Sequence, residues 1–290
     1  MRSTAAPLNP DGPPLPSAVR SIVACVAFLL AATVAQAAAA QPKLAELRYD
    51  TNVDLAIAIG GAVVWLATDF PLKAALAPDA CRWCEVPGID RSVRNALKWD
   101  NTSLPNTLSH VLGFGLVQAA LVGVDVLMAN HDGAIDNVGP DVLILAETMM
   151  VAMNVNQLVK FSVGRERPFV HALSPSEKSA REPSSDDNLS FFSGHTTSAF
   201  AVSVALGTVA TMRGYRWAPL AWIVGFALGT TLAYLRVAAD RHYFTDVLTG
   251  AVFGSAFGFA IPYFFHGPRS ATSVRVGMAG PNRLVLSGVW

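Results

Sequence analysis

The chain has 290 residues, long enough for one or two domains. Hydrophobic residues make up 52% of it and charged residues only 14%, with a mean hydropathy of +0.40, which is too apolar for an ordinary soluble domain. Lys plus Arg and Asp plus Glu both number 21, so the formal net charge is zero; with no strongly basic run, the electrostatic footprint of a nucleic-acid partner is missing.

The first element reads as an export signal. Arg2, Asp11 and Arg20 are the only charges ahead of an apolar run from Ile22 to Ala35, and Ala35-Gln36-Ala37 supplies an A-x-A cleavage site. Residues 1–37 therefore predict a signal peptide that stays outside the fold; the alternative is an uncleaved first membrane helix. Cys25 stands at the start of the run, not at its end, which does not suit lipoprotein acylation. Residues 38–140 are expected to supply N-terminal helices and a loop that complete a bundle. Within them, Cys81-Arg82-Trp83-Cys84 lacks the βαβ surroundings of a redox motif and the Cys or His partners of a zinc site. In an exported chain the pair Cys81 and Cys84 reads as a local disulfide that staples a loop.

Six apolar stretches have helical length and no period-2 alternation: Val53–Phe70, Thr107–Met128, Val142–Phe161, Thr196–Met212, Trp217–Leu235 and Phe244–Phe265. Turn-forming runs divide them, such as Asn130-His131-Asp132-Gly133 and Arg213-Gly214-Tyr215-Arg216. The charged segment Pro71–Asn106 is expected to hold a short amphipathic helix at Arg91–Trp99. Trp217–Leu235 and Leu248–Phe265 approach the length a bilayer demands and are rich in small residues that allow close helix packing in lipid. Against spanning, Asp125, Glu147, Asn154, Asn156 and Gln157 would be costly inside a membrane unless they face a cavity or the bundle interior. The expected fold is all-α, a six-helix bundle, with residues 267–290 as a C-terminal tail.

Three clusters carry the chemistry. Lys160 precedes Arg167-Pro168 by seven residues, where a helix gives way to an extended step before proline. Arg can fork onto two anionic oxygens while Lys adds a point charge. Ser193-Gly194-His195 stands just before an apolar helix, and backbone N–H groups at such a start, with Gly permitting close approach, make an anion site. Ser193 can add a hydroxyl, and His195 is placed to give a proton to a leaving alkoxide. Arg236 and the pair His242 and Asp246 straddle the turn from the fifth helix to the sixth. Four residues apart, His242 and Asp246 share a helix face, so the carboxylate can fix the imidazole tautomer and leave the other nitrogen free to attack. Fixed cations, two histidines and a carboxylate, without a Mg²⁺ cage of clustered carboxylates, are suited to phosphoryl transfer. Arg165 reads as a solvated helix end, and Asp240 and Arg241 as loop charges. Phe169–Phe191, a polar segment with Glu177, Lys178, Arg181, Glu182, Asp186 and Asp187, reads as a lid that selects the substrate.

Written as K-x6-R-P, S-G-H and R-x5-H-x3-D, these clusters resemble the type 2 phosphatidic acid phosphatase (PAP2) superfamily, which includes lipid phosphatases, bacterial acid phosphatases and vanadium haloperoxidases. Phe192 stands where that family usually has Pro, and Leu235 where it has Ser. The resemblance implies a catalytic core over residues 141–266 in a PAP2/haloperoxidase-type bundle. It implies a metal-independent phosphatase with no cofactor, in which His242 attacks phosphorus, His195 acts as acid and then base, and Asp246 supports His242. Lys160, Arg167, Ser193, Gly194 and Arg236 hold the phosphoryl oxygens. The substrate is expected to be lipid-linked, of the phosphatidic acid or isoprenyl diphosphate type, on an exported, membrane-associated protein whose active site faces the periplasm. The alternatives are a haloperoxidase holding vanadate on His242, or a soluble periplasmic acid phosphatase acting on a small phosphate ester.

Overall fold

The computed structural model describes Leu44–Arg269 and two short strands beyond them; the expected signal peptide, residues 1–37, lies outside the described residues. Helix α1 (Thr51–Asp69) begins at Asp50, whose carboxylate accepts from Asn52 N and Val53 N. The segment after it carries α2 (Lys73–Leu76) and α3 (Gly88–Leu97). Helix α4 (Ser103–Val111) runs through a single π turn at Leu112–Leu116 into α5 (Val117–His131). Helix α6 (Val138–Val163) stops at Gly164, whose φ of 60° closes a left-handed cap. Short helices α7 (Pro168–His171) and α8 (Pro175–Ala180) follow, α8 opened by a Ser174/Glu177 capping box. The last three are α9 (Gly194–Arg213), α10 (Ala218–Ala238) and α11 (Phe244–Phe265).

Each of the six apolar stretches falls in a helix, and the second is the α4–π–α5 continuum. The described residues hold eleven α-helices in all, the extra ones being short pieces between apolar stretches. The expected helix at Arg91–Trp99 starts earlier, after Pro87, and ends at Leu97. The C-terminal tail carries two short strands. Strands β1 (Arg275–Met278) and β2 (Leu284–Ser287) pair antiparallel, with Arg275 opposite Ser287. Strands of four residues are too short for alternation to stand out over a helix-length window.

Helix α9 is the hub. It is buried along almost its whole length and packs chiefly on α11 and α10, then α6. Gly250, Gly254 and Gly258 form a stripe on α11 that lets the two backbones touch. A Cβ at Gly254 would fall 2.5 Å from Thr197 O, and one at Gly258 would fall 2.6 Å from Ala201 O. This close seam sets the start of α11 against the start of α9.

The outward faces are apolar. Val63, Leu158, Val252 and Phe264 are among many large exposed side chains, and α1 buries only Asp54 and Ala58. Four segments, Thr51–Asp69, Ile135–Val163, Ala218–Ala238 and Phe244–Phe265, are long and apolar enough to cross a membrane. An exposed apolar surface of this extent belongs in lipid, and the protein is membrane-associated. The polar residues that argued against spanning turn inward: Asp125 and Asn156 are fully buried, and Glu147 and Gln157 nearly so. Asn154 donates to Gly61 O at 2.9 Å across the α1–α6 contact.

The two ends of the bundle differ. At one lie the ends of α1, α6 and α10 and the starts of α4, α9 and α11. At the other, the segment before α1 pairs with the residues after α11 through a Leu47–Pro268 bridge, and Ala45 N bonds Arg213 O at 2.9 Å. Asp141, Arg213 and Tyr215 form a buried hydrogen-bonded group at that second end.

Candidate active site

A cavity at the first end gathers Lys160, Arg167, Gly194, His195, Arg236 and His242 from four separate segments. Lys160 comes from the last turns of α6. Arg167 follows two residues after the isolated bridge that joins Arg165 to Trp83. Its guanidinium is fixed by donation from Nε to Asp186 O at 2.8 Å and from Nη1 to Arg241 O at 3.0 Å. Arg236, in the last turn of α10, donates from Nη1 to Ser109 Oγ at 2.8 Å and to Asn106 Oδ1 at 3.3 Å. Its buried Nε has no hydrogen-bond partner among the described residues, a donor left over for an oxyanion. Gly194 sits closely against the cavity side chains: a Cβ there would fall 3.0 Å from Asn156 Oδ1 and 3.3 Å from Lys160 Nζ.

His242 lies in the short turn between α10 and α11 and is 2% exposed. Its Nδ1 is 2.8 Å from Ser190 O. A carbonyl can only accept, so Nδ1 carries the proton and Nε2 keeps its lone pair. That Nε2 faces the cavity, 3.4 Å from Arg167 Nη1. Burial first, then the cations Arg167, Arg236 and Lys160, push the His242 pKa well below its ordinary value, so the ring is neutral. Asp186 is the cavity's counter-ion: Lys73 Nζ reaches it at 2.6 Å and Arg167 Nη2 at 3.5 Å, and Arg167 above all holds its carboxyl far below the usual range.

Asp246 does not touch His242 as expected. Its Oδ2 stands 3.7 Å from Nδ1, beyond hydrogen-bond reach, because Ser190 O takes the imidazole proton first. The carboxylate instead accepts from Ser190 Oγ at 2.6 Å, Tyr243 N at 2.9 Å and Arg165 Nη1 at 2.5 Å. It therefore positions Ser190 and the turn that carries His242. Ser193 also stands behind the cavity: it is the N-cap of α9, accepting from Thr196 N, and is fully buried.

Arg165 is the largest departure from the sequence reading. Far from a solvated helix end, it is 1% exposed and joins Asp90 at 2.7 Å to Asp246. Its guanidinium lies between the rings of Trp83 and Tyr243, 4.0 and 4.2 Å from their centres. Asp240, read as a loop charge, is buried and holds Arg94 through two 2.6 Å bonds, with φ of 58°. Arg241 lines the cavity. Cys81 and Cys84 form a disulfide in the loop that presents Trp83. Three further residues were not read from the sequence as part of the site. His110 of α4 places Nδ1 3.2 Å from His195 Nε2, Asn156 donates to Phe192 O at 2.7 Å, and Lys73 meets Asp186. Asn156 had one available signal: it precedes Lys160 by one helical turn and so shares its face.

Cations, a neutral imidazole aimed among them and a second histidine define a site for phosphoryl transfer, and the protein is a phosphoric ester hydrolase. Residues 141–269 match the family model of the PAP2 superfamily. The crystal structure of a transmembrane PAP2-type phosphatidylglycerolphosphate phosphatase from Bacillus subtilis aligns with 71% of this chain and 94% of its own. The two are 18% identical, with a TM-score of 0.44. No curated protein matches the chain.

Proposed function

We propose that this membrane protein hydrolyses a lipid-linked phosphate monoester or diphosphate through a phosphohistidine on His242, without a metal in the reaction. The observation that carries this reading is the His242 tautomer: Nδ1–H on Ser190 O leaves the Nε2 lone pair directed into a ring of cations. Lys160, Arg167, Arg236 and the Gly194 N–H hold the phosphoryl oxygens, with Ser193 setting the turn. Nε2 attacks phosphorus, the bond from phosphorus to the ester oxygen breaks, and His195 gives that oxygen its proton. Burial and Arg236 hold the free His195 pKa well below the ordinary value, so the bound phosphate anion has to raise it for the ring to enter as imidazolium. Water then attacks the phosphorus of the phosphohistidine as His195 takes its proton. The P–N bond breaks, inorganic phosphate leaves, and His242 and His195 return to their starting protonation states.

The lipid part of the reading rests on where the cavity lies. It sits at one end of helices whose outer faces are apolar, and Trp65, Gly113 and Met153 line it beside the charged groups. Leu104, Leu108 and Val111 lie exposed on α4, the helix that also carries Asn106 and His110 into the lining. A phosphate could enter the cavity while its hydrocarbon stays in the bilayer.

The test is phosphate release by purified protein from phosphatidic acid, an isoprenyl diphosphate and a short soluble monoester, with EDTA present only during the assay. Faster release from the lipid substrates, unaffected by chelator, is expected. Bromide oxidation by peroxide that depends on vanadate, with no phosphate release, would favour the haloperoxidase reading and defeat this one.

A further inference from the structure

A second group of ionisable side chains lies at the opposite end of the bundle from the cavity. Asp54 of α1, Glu147 of α6 and His266, which follows α11, are 5%, 6% and 3% exposed. One ligand-type atom from each lies within 4.8 Å of the others. His266 Nδ1 is 3.0 Å from Arg48 O and must donate to it, which leaves Nε2 as the free ligand atom. Nε2 is 3.2 Å from Glu147 Oε2, yet neither atom meets hydrogen-bond geometry with the other or with any described residue. Close approach without N–H···O alignment is what two lone pairs converging on one cation produce. Two ligands of a tetrahedral ion with bonds of about 2.0–2.2 Å stand roughly 3.3–3.6 Å apart.

Charge points the same way. Two buried carboxylates require neutralisation. Arg48, the adjacent cation, directs Nε to Gly267 O at 3.1 Å and Nη2 to Phe264 O at 3.5 Å instead. Asp54 Oδ2 accepts only a neutral donor, Asp50 N, at 3.0 Å. Phosphoryl transfer has no use for the group.

We propose that Asp54, Glu147 and His266 form a structural site for a divalent transition-metal ion. Zn²⁺ is the best match to one neutral imidazole and two carboxylates, a set that cancels its charge. The ion ties the start of α1 to α6 and to the end of α11. Helix α1 buries only Asp54 and Ala58 and packs chiefly on α6, and its other end supplies Trp65 and Asp69 to the catalytic cavity. The competing arrangement is an ion pair between protonated His266 and Glu147.

The test uses the full chain without an affinity tag, purified in detergent, loaded with Zn²⁺, desalted and measured for metal. About one ion per chain is expected, with a melting temperature that rises on loading. Glu147→Gln and His266→Gln should each retain at least ~10-fold less metal while vanadate still binds the catalytic cavity. Loaded wild-type protein holding less than about 0.1 ion per chain would overturn the proposal, as would metal unchanged in both variants. Should the variants fail to fold, zinc-edge X-ray absorption of the loaded wild-type protein decides. A nitrogen/oxygen shell with one imidazole supports the site, and a shell with sulfur or without imidazole defeats it.

Discussion

An imidazole that attacks phosphorus, the role proposed for His242, has to be neutral, and the surroundings of His242 keep it so. Burial and three cations depress its pKa. In the mechanism proposed above only the unprotonated ring attacks, and that form exists above the pKa, so depression would extend activity downward in pH. The acid limb of kcat/KM should therefore lie below about 6.5, the ordinary histidine value. Arg167→Gln removes one cation and should move that limb up toward it, with a loss in kcat/KM. His242→Ala should lower turnover by at least ~10³-fold while vanadate, which mimics the five-coordinate transition state, still binds the cations. Arg165 makes a separate prediction. Arg165→Leu leaves Asp90 and Asp246 buried without their cation, which should cost about 3–5 kcal/mol in unfolding titrations. Arg165→Lys should recover only part, because the two-armed contact and the stacking between Trp83 and Tyr243 are lost. The motif residues were legible because each cluster's spacing brings its members to one helix end. Arg165, Ser190 and His110 were not, since their partners lie on other segments and no local spacing encodes a contact made only on folding.

At the scale of elements, the glycine stripe of α11 decides the alignment of the catalytic turn. Gly254→Leu would place its Cβ 2.5 Å from Thr197 O, which is backbone and cannot swing aside. Helix α11 must then lift from α9, carrying His242 and Asp246 away from Gly194. A lower melting temperature and lost turnover are expected, whereas Val252→Leu, on the exposed face of the same helix, should change neither. Wild-type turnover in Gly254→Leu would show that the seam does not set the site. The long helices could be read from apolar length alone. Helices α2, α7 and α8 could not, because four to six residues complete too little of a turn pattern to register. The inward direction of Asp125 and Glu147 was equally hidden, since it depends on which face each helix turns to its neighbours.

For the whole molecule, the apolar exterior predicts retention in the membrane pellet after carbonate extraction, and release would argue against spanning helices. Cys81 and Cys84 share the end of the bundle that holds the cavity. With the cavity on the periplasmic side, an impermeant thiol reagent should label the pair in spheroplasts only after reduction. Labelling that appears only once the membrane is broken would reverse the orientation. For spanning helices, a periplasmic cavity puts Leu44–Asp50 on the cytoplasmic side, which is incompatible both with cleavage of an exported leader after Ala37 and with an uncleaved leader acting as a further span. One further consequence follows from Asp186. Its carboxylate sits on Arg167 and Lys73 before any substrate arrives, so the cavity is never a bare set of positive charges. Substrate entry is an exchange of one anion for another. Affinity is then a difference between two attractions, that of the cations for the incoming anion and that for Asp186.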